Sequence, residues 1–170
     1  MDNVIKPFTT IASKTSIEAI LNLDSEAFGT EQAWNWDNFV FALPFKMDLS
    51  FVAFQNNNIV GYVVASVYDL DNVLTGHVNR IASGKTTKGT GIGTKLLNSV
   101  HVKCKKLGLS NITLEFDSAL AVLDFYQTFG YCQMTNEDFL IKYLKSKNKL
   151  LSKELYFSEK RIVLIKNLSK

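Results

Sequence analysis

The spacing of apolar positions changes period several times along this chain, and each change marks an element. Residues 4–9 open as a strand. Ile17, Ile20, Leu21 and Phe28 then recur at helical spacing, behind a Thr15-Ser16-Ile17-Glu18 start that offers a capping box, so a helix is expected over 16–28. A shorter helix over 35–43 stops at Pro44. LSFVAFQ (49–55) and IVGYVVASVY (59–68) are apolar and aromatic, and the asparagines at 56–58 accept positive φ, which predicts a hairpin. After a loop at 69–75, HVNRIAS (77–83) alternates and reads as a further strand.

Beyond a glycine-rich stretch the period returns to that of a helix. Ile92, Leu96, Leu97, Val100, Cys104 and Leu107 form one stripe, opposite Lys95, Asn98, Lys103 and Lys106, and Gly108 closes the helix. His101 within it reads as solvated. NITLEF (111–116) is a strand. Asp117 or Ser118 can cap a helix that holds Leu120, Leu123, Phe125, Tyr126 and Phe129 and ends at Gly130. A short strand over 131–134, a Lys-rich helix over 137–153 and a last strand, RIVLIKN (161–167), complete the order β-α-α-β-β-β-α-β-α-β-α-β. That order predicts an α/β or α+β sheet with helices packed on its faces.

Composition narrows the class. The 170 residues fit a single domain over 1–170, and 46% hydrophobic with 21% charged residues is the balance of a folded, soluble protein. A net charge of +3 without a dense Arg cluster argues against nucleic acid as a partner. The basic run at 142–153 reads as a solvated helix face. No apolar run approaches the ~20 residues that span a bilayer, and the N-terminus lacks a signal-peptide core, so a soluble, cytoplasmic protein with no membrane partner is expected. Cys104 and Cys132 form neither a zinc motif nor a disulfide framework; each reads as a small buried hydrophobe, and no metal site is expected.

The stretch GKTTKGTGIG at 84–93 carries the candidate chemistry. A P-loop needs GxxxxGK[ST]; five residues before Gly84 stands Asn79, and Gly89 is followed by Thr90 rather than Lys. A dinucleotide fingerprint needs a glycine at position 94, where Thr94 stands. What remains is a basic, glycine-rich loop opening a long helix. Glycines let backbone N–H groups converge on one anion, the helix N-terminus adds partial positive charge, and Lys85 and Lys88 add attraction. The plain alternative is a turn without a ligand, against which three glycines at alternate positions carry an entropic cost with no return.

Lys88-Gly89-Thr90-Gly91-Ile92-Gly93 resembles the pyrophosphate loop R/Q-x-x-G-x-G/A of the GCN5-related N-acetyltransferase (GNAT) superfamily, with Lys in the first place. About thirty residues on, Val122-Leu123-Asp124-Phe125-Tyr126-Gln127-Thr128-Phe129-Gly130-Tyr131 resembles that family's A-x-x-F-Y-x-x-x-G-F pattern, with Val122 in place of Ala. The Asn that often begins that helix falls at Ala119, so its contact to the cofactor's arm is either missing or moved to Ser118 or Asp117. The resemblance covers roughly 49–134. It implies a mixed, mostly antiparallel central sheet with helices on both faces, acetyl-coenzyme A (acetyl-CoA) as co-substrate, and an amine as acceptor. It further implies that the backbone of Lys88, Gly89, Thr90, Gly91, Ile92, Gly93 and Thr94 holds the pyrophosphate. Ile81, Ala82 and Ser83 would lie beside the pantetheine arm, which pairs as a pseudo-strand where two strands splay.

Acyl transfer to an amine needs a polarised carbonyl, a proton for the leaving thiolate and an acceptor for the amine proton. By the resemblance, Tyr126 is the general acid; read alone it is a core aromatic at helical spacing. His77 is the candidate base, with a side chain suited to neutral pH, although a lone His at a strand start is commonly a surface residue. Glu115 with a water chain is the competing base. Trp34, Trp36 and Phe39 fall in the segment that walls the acceptor site in relatives, or equally only pack that helix on the sheet, while Asp37, Asp69 and Asp71 could attract a cationic amine but are singled out by no spacing. The acceptor is left open among a small amine, a protein lysine and a protein N-terminus. A non-catalytic CoA-binding or regulatory domain is the alternative, and a homodimer built on 137–153 is a further possibility.

Overall fold

The computed structural model describes residues 3–11, 13–148 and 161–169. The strands are β1 (Val4–Pro7), β2 (Phe51–Gln55), β3 (Asn58–Leu70), β4 (Val73–Ser83), β5 (Asn111–Asp117), β6 (Cys132–Gln133) and β7 (Arg161–Asn167). The helices are α1 (Lys14–Phe28), α2 (Trp36–Val40), α3 (Lys46–Leu49), α4 (Ile92–Lys106), α5 (Leu123–Gln127) and α6 (Glu137–Asn148), with short 3-10 turns at Phe8–Thr10 and Lys85–Thr87. The strands form one seven-stranded sheet in the order β1-β2-β3-β4-β5-β7-β6. β1–β2, β2–β3, β5–β7 and β6–β7 pair antiparallel, and β4–β5 pair parallel.

The element order follows the sequence pattern, and the differences have local causes. α1 starts two residues earlier than expected because Ser13, not Thr15, caps it: its Oγ accepts the N–H of Ser16. α2 is cut to five residues, held by a reciprocal capping box between Asn35 and Asn38, and a separate turn, α3, follows Pro44. The expected loop at 69–75 is only two residues, Asp71 and Asn72, at φ +55° and +65°, so β3 and β4 are longer than their apolar runs. Asp and Asn tolerate that region, and Asp69 Oδ1 accepts the Asn72 N–H at 2.7 Å to close the turn. α5 begins at Leu123 without a side-chain cap; Asp117 instead binds the N–H of Ala119 in an Asx turn, and Ser118 is exposed. The Lys-rich helix is described to Asn148, so 149–153 of its expected span lie outside the described residues.

The chain divides into two compact units, Met1–Ser66 with Asn79–Lys103, and Val67–Val78 with Cys104–Lys170. The first is built on Phe8, Ile20, Leu23, Phe39, Val52, Tyr62, Val64 and Ala82. Gly61 lets Ile92 approach it: a Cβ there would stand 2.7 Å from Ile92 Cγ2 and 3.1 Å from the Ala82 carbonyl. The second is built on Tyr68, Leu70, Met134, Tyr143 and Val163. Two single-residue expectations are corrected. His101 is buried on α4, because it lies four residues after Leu97 and three before Cys104 on the same face, and Cys132 is exposed, because β6 is a two-residue edge strand.

Candidate active site

Three features of the glycine stretch shape it for an anion. Gly84 donates its N–H to the Val60 carbonyl and starts the 3-10 turn, and buried Thr87 closes that turn by donating to the Gly84 carbonyl at 2.9 Å. Gly89 and Gly91 sit at φ +81° and +80°, where a side chain is strained, and nothing lies within 4 Å of where their Cβ atoms would be. Among the described residues, the N–H groups of Gly89, Gly91, Ile92, Gly93 and Thr94 have no acceptor in the protein, whereas Lys88 and Thr90 donate back to Lys85 and Thr87. Five unclaimed donors stand at the start of a fifteen-residue helix, with Lys85 and Lys88 exposed beside them, an arrangement chemically able to hold an anion.

The same unit holds a polar cluster that the sequence reading did not single out. Asp24, fully buried on α1, accepts a bidentate pair from Arg80 (Nε–Oδ1 2.8 Å, Nη2–Oδ2 3.0 Å), the Tyr62 hydroxyl and the Trp34 N–H. Arg80 also donates to the Gln32 carbonyl at 2.6 Å and stacks 3.5 Å over the Phe28 ring. One buried carboxylate thus ties α1, the 29–35 loop, β3 and β4. Burial and the neighbouring carboxylate push the Tyr62 phenol far up, so it remains a donor. The signal was present: Asp24 lies four residues from both Ile20 and Phe28, on the apolar stripe of α1, and an acid there requires a buried partner. Trp34 packs edge-on to Phe39 at 5.1 Å, and Phe39 to Tyr62 at 5.4 Å. Lys46 is buried and donates to the carbonyls of Phe39 and Phe41, closing the C-terminal end of α2; desolvation lowers its pKa. Trp36 is exposed next to them.

At the end of β4, Ala82 packs in the core while Ile81 and Ser83 are half-buried. The parallel ladder runs from Thr75↔Asn111 to Val78↔Leu114, and β4 continues to Ser83 and β5 to Asp117. Asn79 accepts from Ser66 at 2.8 Å.

In the second unit Tyr126 is 8% exposed, packed against Phe116 (5.7 Å), Phe125 (5.2 Å) and Tyr131 (5.9 Å). Burial pushes its phenol up to about 12. Among the described residues its hydroxyl has no hydrogen-bond partner, so it is available to a ligand. His77 is not at the surface: it is 3% exposed, inside β4. Its Nδ1 lies 3.0 Å from Thr113 Oγ1, which also meets the Tyr68 hydroxyl at 2.9 Å, and its ring stands 5.8 Å from Tyr68 and 6.2 Å from Tyr143. Glu115, two residues along β5 from Thr113, binds the Tyr143 hydroxyl at 3.0 Å and Arg161 at 3.3 Å. Among the expected acids, Asp71 pairs with Lys142 at 2.7 Å. Among the described residues no group of three or more His, Cys, Asp or Glu could hold a metal, and no helix is long and apolar enough to cross a membrane.

The acetyltransferase (GNAT) domain model matches residues 23–143, and the chain belongs to that family. It is 31% identical over 88 residues to N-alpha-acetyltransferase 30 of Schizosaccharomyces pombe, a match covering 51% of this chain and 59% of the relative. The chain therefore spans about three-fifths of the curated relative it matches. Among solved structures, the ribosomal-protein-S18-alanine N-acetyltransferase from Escherichia coli superposes with a TM-score of 0.71 at 17% identity, covering 99% of this chain and 96% of that one. Arabidopsis thaliana Naa50, in complex with the bisubstrate analogue CoA-Ac-MVNAL, gives 0.69 at 16%, covering 98% and 99%. At these identities the two structures establish the shared fold.

Proposed function

We propose that this chain transfers the acetyl group of acetyl-CoA to the α-amine of a polypeptide N-terminus, the whole chain acting as one acetyltransferase domain. The observation that carries the reading is the set of unclaimed N–H groups at Gly89, Gly91, Ile92, Gly93 and Thr94. These, with Lys88, hold the pyrophosphate. The backbone of Ile81, Ala82 and Ser83 pairs with the pantetheine amides, and Ser118 or Asp117 meets the arm from β5. The N-terminal acceptor is favoured because the curated relative is named an N-alpha-acetyltransferase, one structural neighbour a ribosomal-protein-S18-alanine N-acetyltransferase, and the other was solved with the bisubstrate analogue CoA-Ac-MVNAL.

Tyr126 protonates the leaving sulfur. At about 12 its phenol is always in the acid form near neutral pH, but it lies roughly 3.5 units above an ordinary thiol, which makes complete transfer uphill by about 5 kcal/mol. Its first contribution is therefore a hydrogen bond to the sulfur as charge develops, worth most where water is excluded. His77, held by Thr113, is a proton-holding group of the same chemistry. Trp34, Trp36 and Phe39 wall the acceptor. The two free cysteines suit the reducing cytoplasm. No residue named here has to come from a second copy of the chain.

The test is a coupled measurement of thermal stabilisation by acetyl-CoA and of CoA release with peptides bearing a free or a blocked N-terminus. Release that requires the free α-amine supports the proposal. Release with lysine side chains or small amines only would overturn the acceptor, and stabilisation without release on any amine would leave a CoA-binding domain.

A further inference from the structure

The buried pair of Asp24 and Arg80 has more connections than packing α1 on the sheet requires. The donors that meet the Asp24 carboxylate are the Arg80 fork from β4, the Tyr62 hydroxyl from β3 and the Trp34 N–H from the 29–35 loop, all within the first unit. Arg80 also reaches the loop itself, donating from Nη2 to the Gln32 carbonyl at 2.6 Å. The loop is thus held at two backbone groups by two side chains that also hold each other. At its start Gly29 turns at φ +80° and accepts the Gln32 N–H. A buried ion pair is often no more stabilising than apolar residues of the same volume. What the fork adds is direction, because a bidentate Arg–carboxylate contact admits one arrangement.

Arg80 stands at a particular place on β4. It shares a face with Ala82, which packs in the same core cluster as Phe39 and Tyr62. It directly precedes Ile81–Ser83, the stretch that pairs with the pantetheine amides in the proposed reaction. Counted from Gly84, where the glycine stretch begins, it lies four residues back along the strand, roughly 13 Å at the rise of a strand. An arm laid along β4 from the glycine turn therefore runs towards the part of the strand to which the 29–35 loop is tied. Trp34, half-buried, and Trp36, exposed, stand where that loop enters α2.

We propose that the Asp24–Arg80 pair positions the acceptor polypeptide: by fixing the Gln32 carbonyl and the Trp34 N–H, it holds the 29–35 loop in the one shape that receives a peptide N-terminus at the end of the acetyl arm. The inference rests on the acetyltransferase reading. Neither side chain touches the reacting atoms; both are positioning residues that act through the loop. Because the loop is pinned before the acceptor arrives, its ordering cost is met in folding rather than in binding. The pair's contribution therefore lies in acceptor affinity and not in the rate from the bound complex.

Arg80→Lys separates this role from plain stability. It keeps a cation beside Asp24 but loses the fork that reaches the carboxylate and Gln32 together. The experiment compares wild type, R80K and G108A in the full chain; Gly108→Ala strains the backbone after α4 and touches neither the loop nor the glycine turn. The readouts are kcat, KM for peptide, thermal stabilisation by acetyl-CoA, and tryptophan emission as peptide is added to the CoA-saturated chain. The two tryptophans of the chain are Trp34 and Trp36, so the emission reports on this loop. R80K is expected to raise KM for peptide about tenfold, the loss of one charge-assisted hydrogen bond, with kcat and stabilisation by acetyl-CoA unchanged. Half of the emission change should likewise need about tenfold more peptide. G108A should melt earlier with its KM for peptide unmoved. A wild-type KM in R80K would overturn the proposal, and so would an equal rise of KM in G108A, which would reduce the pair to stability. Loss of stabilisation by acetyl-CoA in R80K would tie the pair to the cofactor and overturn it too. Should R80K fail to fold, the double variant D24N/R80M, which buries no charge, is read in the same way. A wild type that is stabilised by acetyl-CoA but acetylates no amine would overturn the acetyltransferase reading, and this proposal with it.

Discussion

Gly91 and Gly108 make a matched pair for testing the cradle. Both sit at positive φ, +80° and +73°, and neither has an atom within 4 Å of its would-be Cβ. An alanine at either place therefore meets the same backbone strain and no clash. That strain is about 1–2 kcal/mol, which in a domain of this size lowers Tm by roughly 2–8 °C. The two positions differ in what they face: Gly108 ends α4, whereas Gly91 stands among the unclaimed N–H groups. The assay is thermal unfolding of wild type, Gly91→Ala and Gly108→Ala, with and without CoA fixed near 100 times the wild-type Kd. Wild type and Gly108→Ala should both gain about 2.7 kcal/mol from the ligand. A tenfold weaker Gly91→Ala should gain only about 1.4 kcal/mol. Equal apo losses with equal gains from CoA would refute the placement of the pyrophosphate.

Tyr126→Phe should reduce kcat about 100-fold while leaving CoA affinity unchanged, and, since the hydroxyl bonds nothing among the described residues, should shift apo stability by less than about 0.5 kcal/mol; steady-state kinetics and denaturant melts read both. Arg80→Met strands a fully buried carboxylate and should cost about 3–5 kcal/mol in a urea titration, of which Asp24→Asn in the same chain recovers a large part; additive losses in that double-mutant cycle would contradict the pairing. The Tyr126 phenol is raised from its ordinary value near 10 to about 12, so its neutral form contributes stability that is fully present below pH ~10 and lost as pH rises towards ~12. That amounts to about 3 kcal/mol, and the urea midpoint of Tyr126→Phe should fall less steeply over the same alkaline range.

Much of this molecule can be read from its letters because period and punctuation carry the information. The strands flanking Asn56 and Asn57, the stripe from Ile92 to Cys104, and the glycines at 108 and 130 were legible as local chemistry. The start of α1 moved because two nearby residues can do one job: Ser13 and Thr15 both can cap it, and the Ser16 N–H chose Ser13. The glycine turn was legible because positive φ, which Gly89 and Gly91 adopt, is open to glycine and strained for other residues. The Asp24–Arg80 pair and the Glu115–Tyr143 contact were not, since their partners are 56 and 28 residues apart and only the sheet brings them together. His77 shows the same limit. Its type suggested chemistry, but its enclosure depends on Tyr68 and Tyr143, which no pattern around position 77 reveals.

The central claim is tested most directly by incubating the chain with acetyl-CoA and a peptide whose only free amine is its N-terminus, and locating the product by fragment mass. The account predicts one acetyl group on the terminal nitrogen, formed with equimolar CoA and abolished by blocking that amine. An unmodified peptide beside a chain that acetyl-CoA fails to stabilise would contradict it.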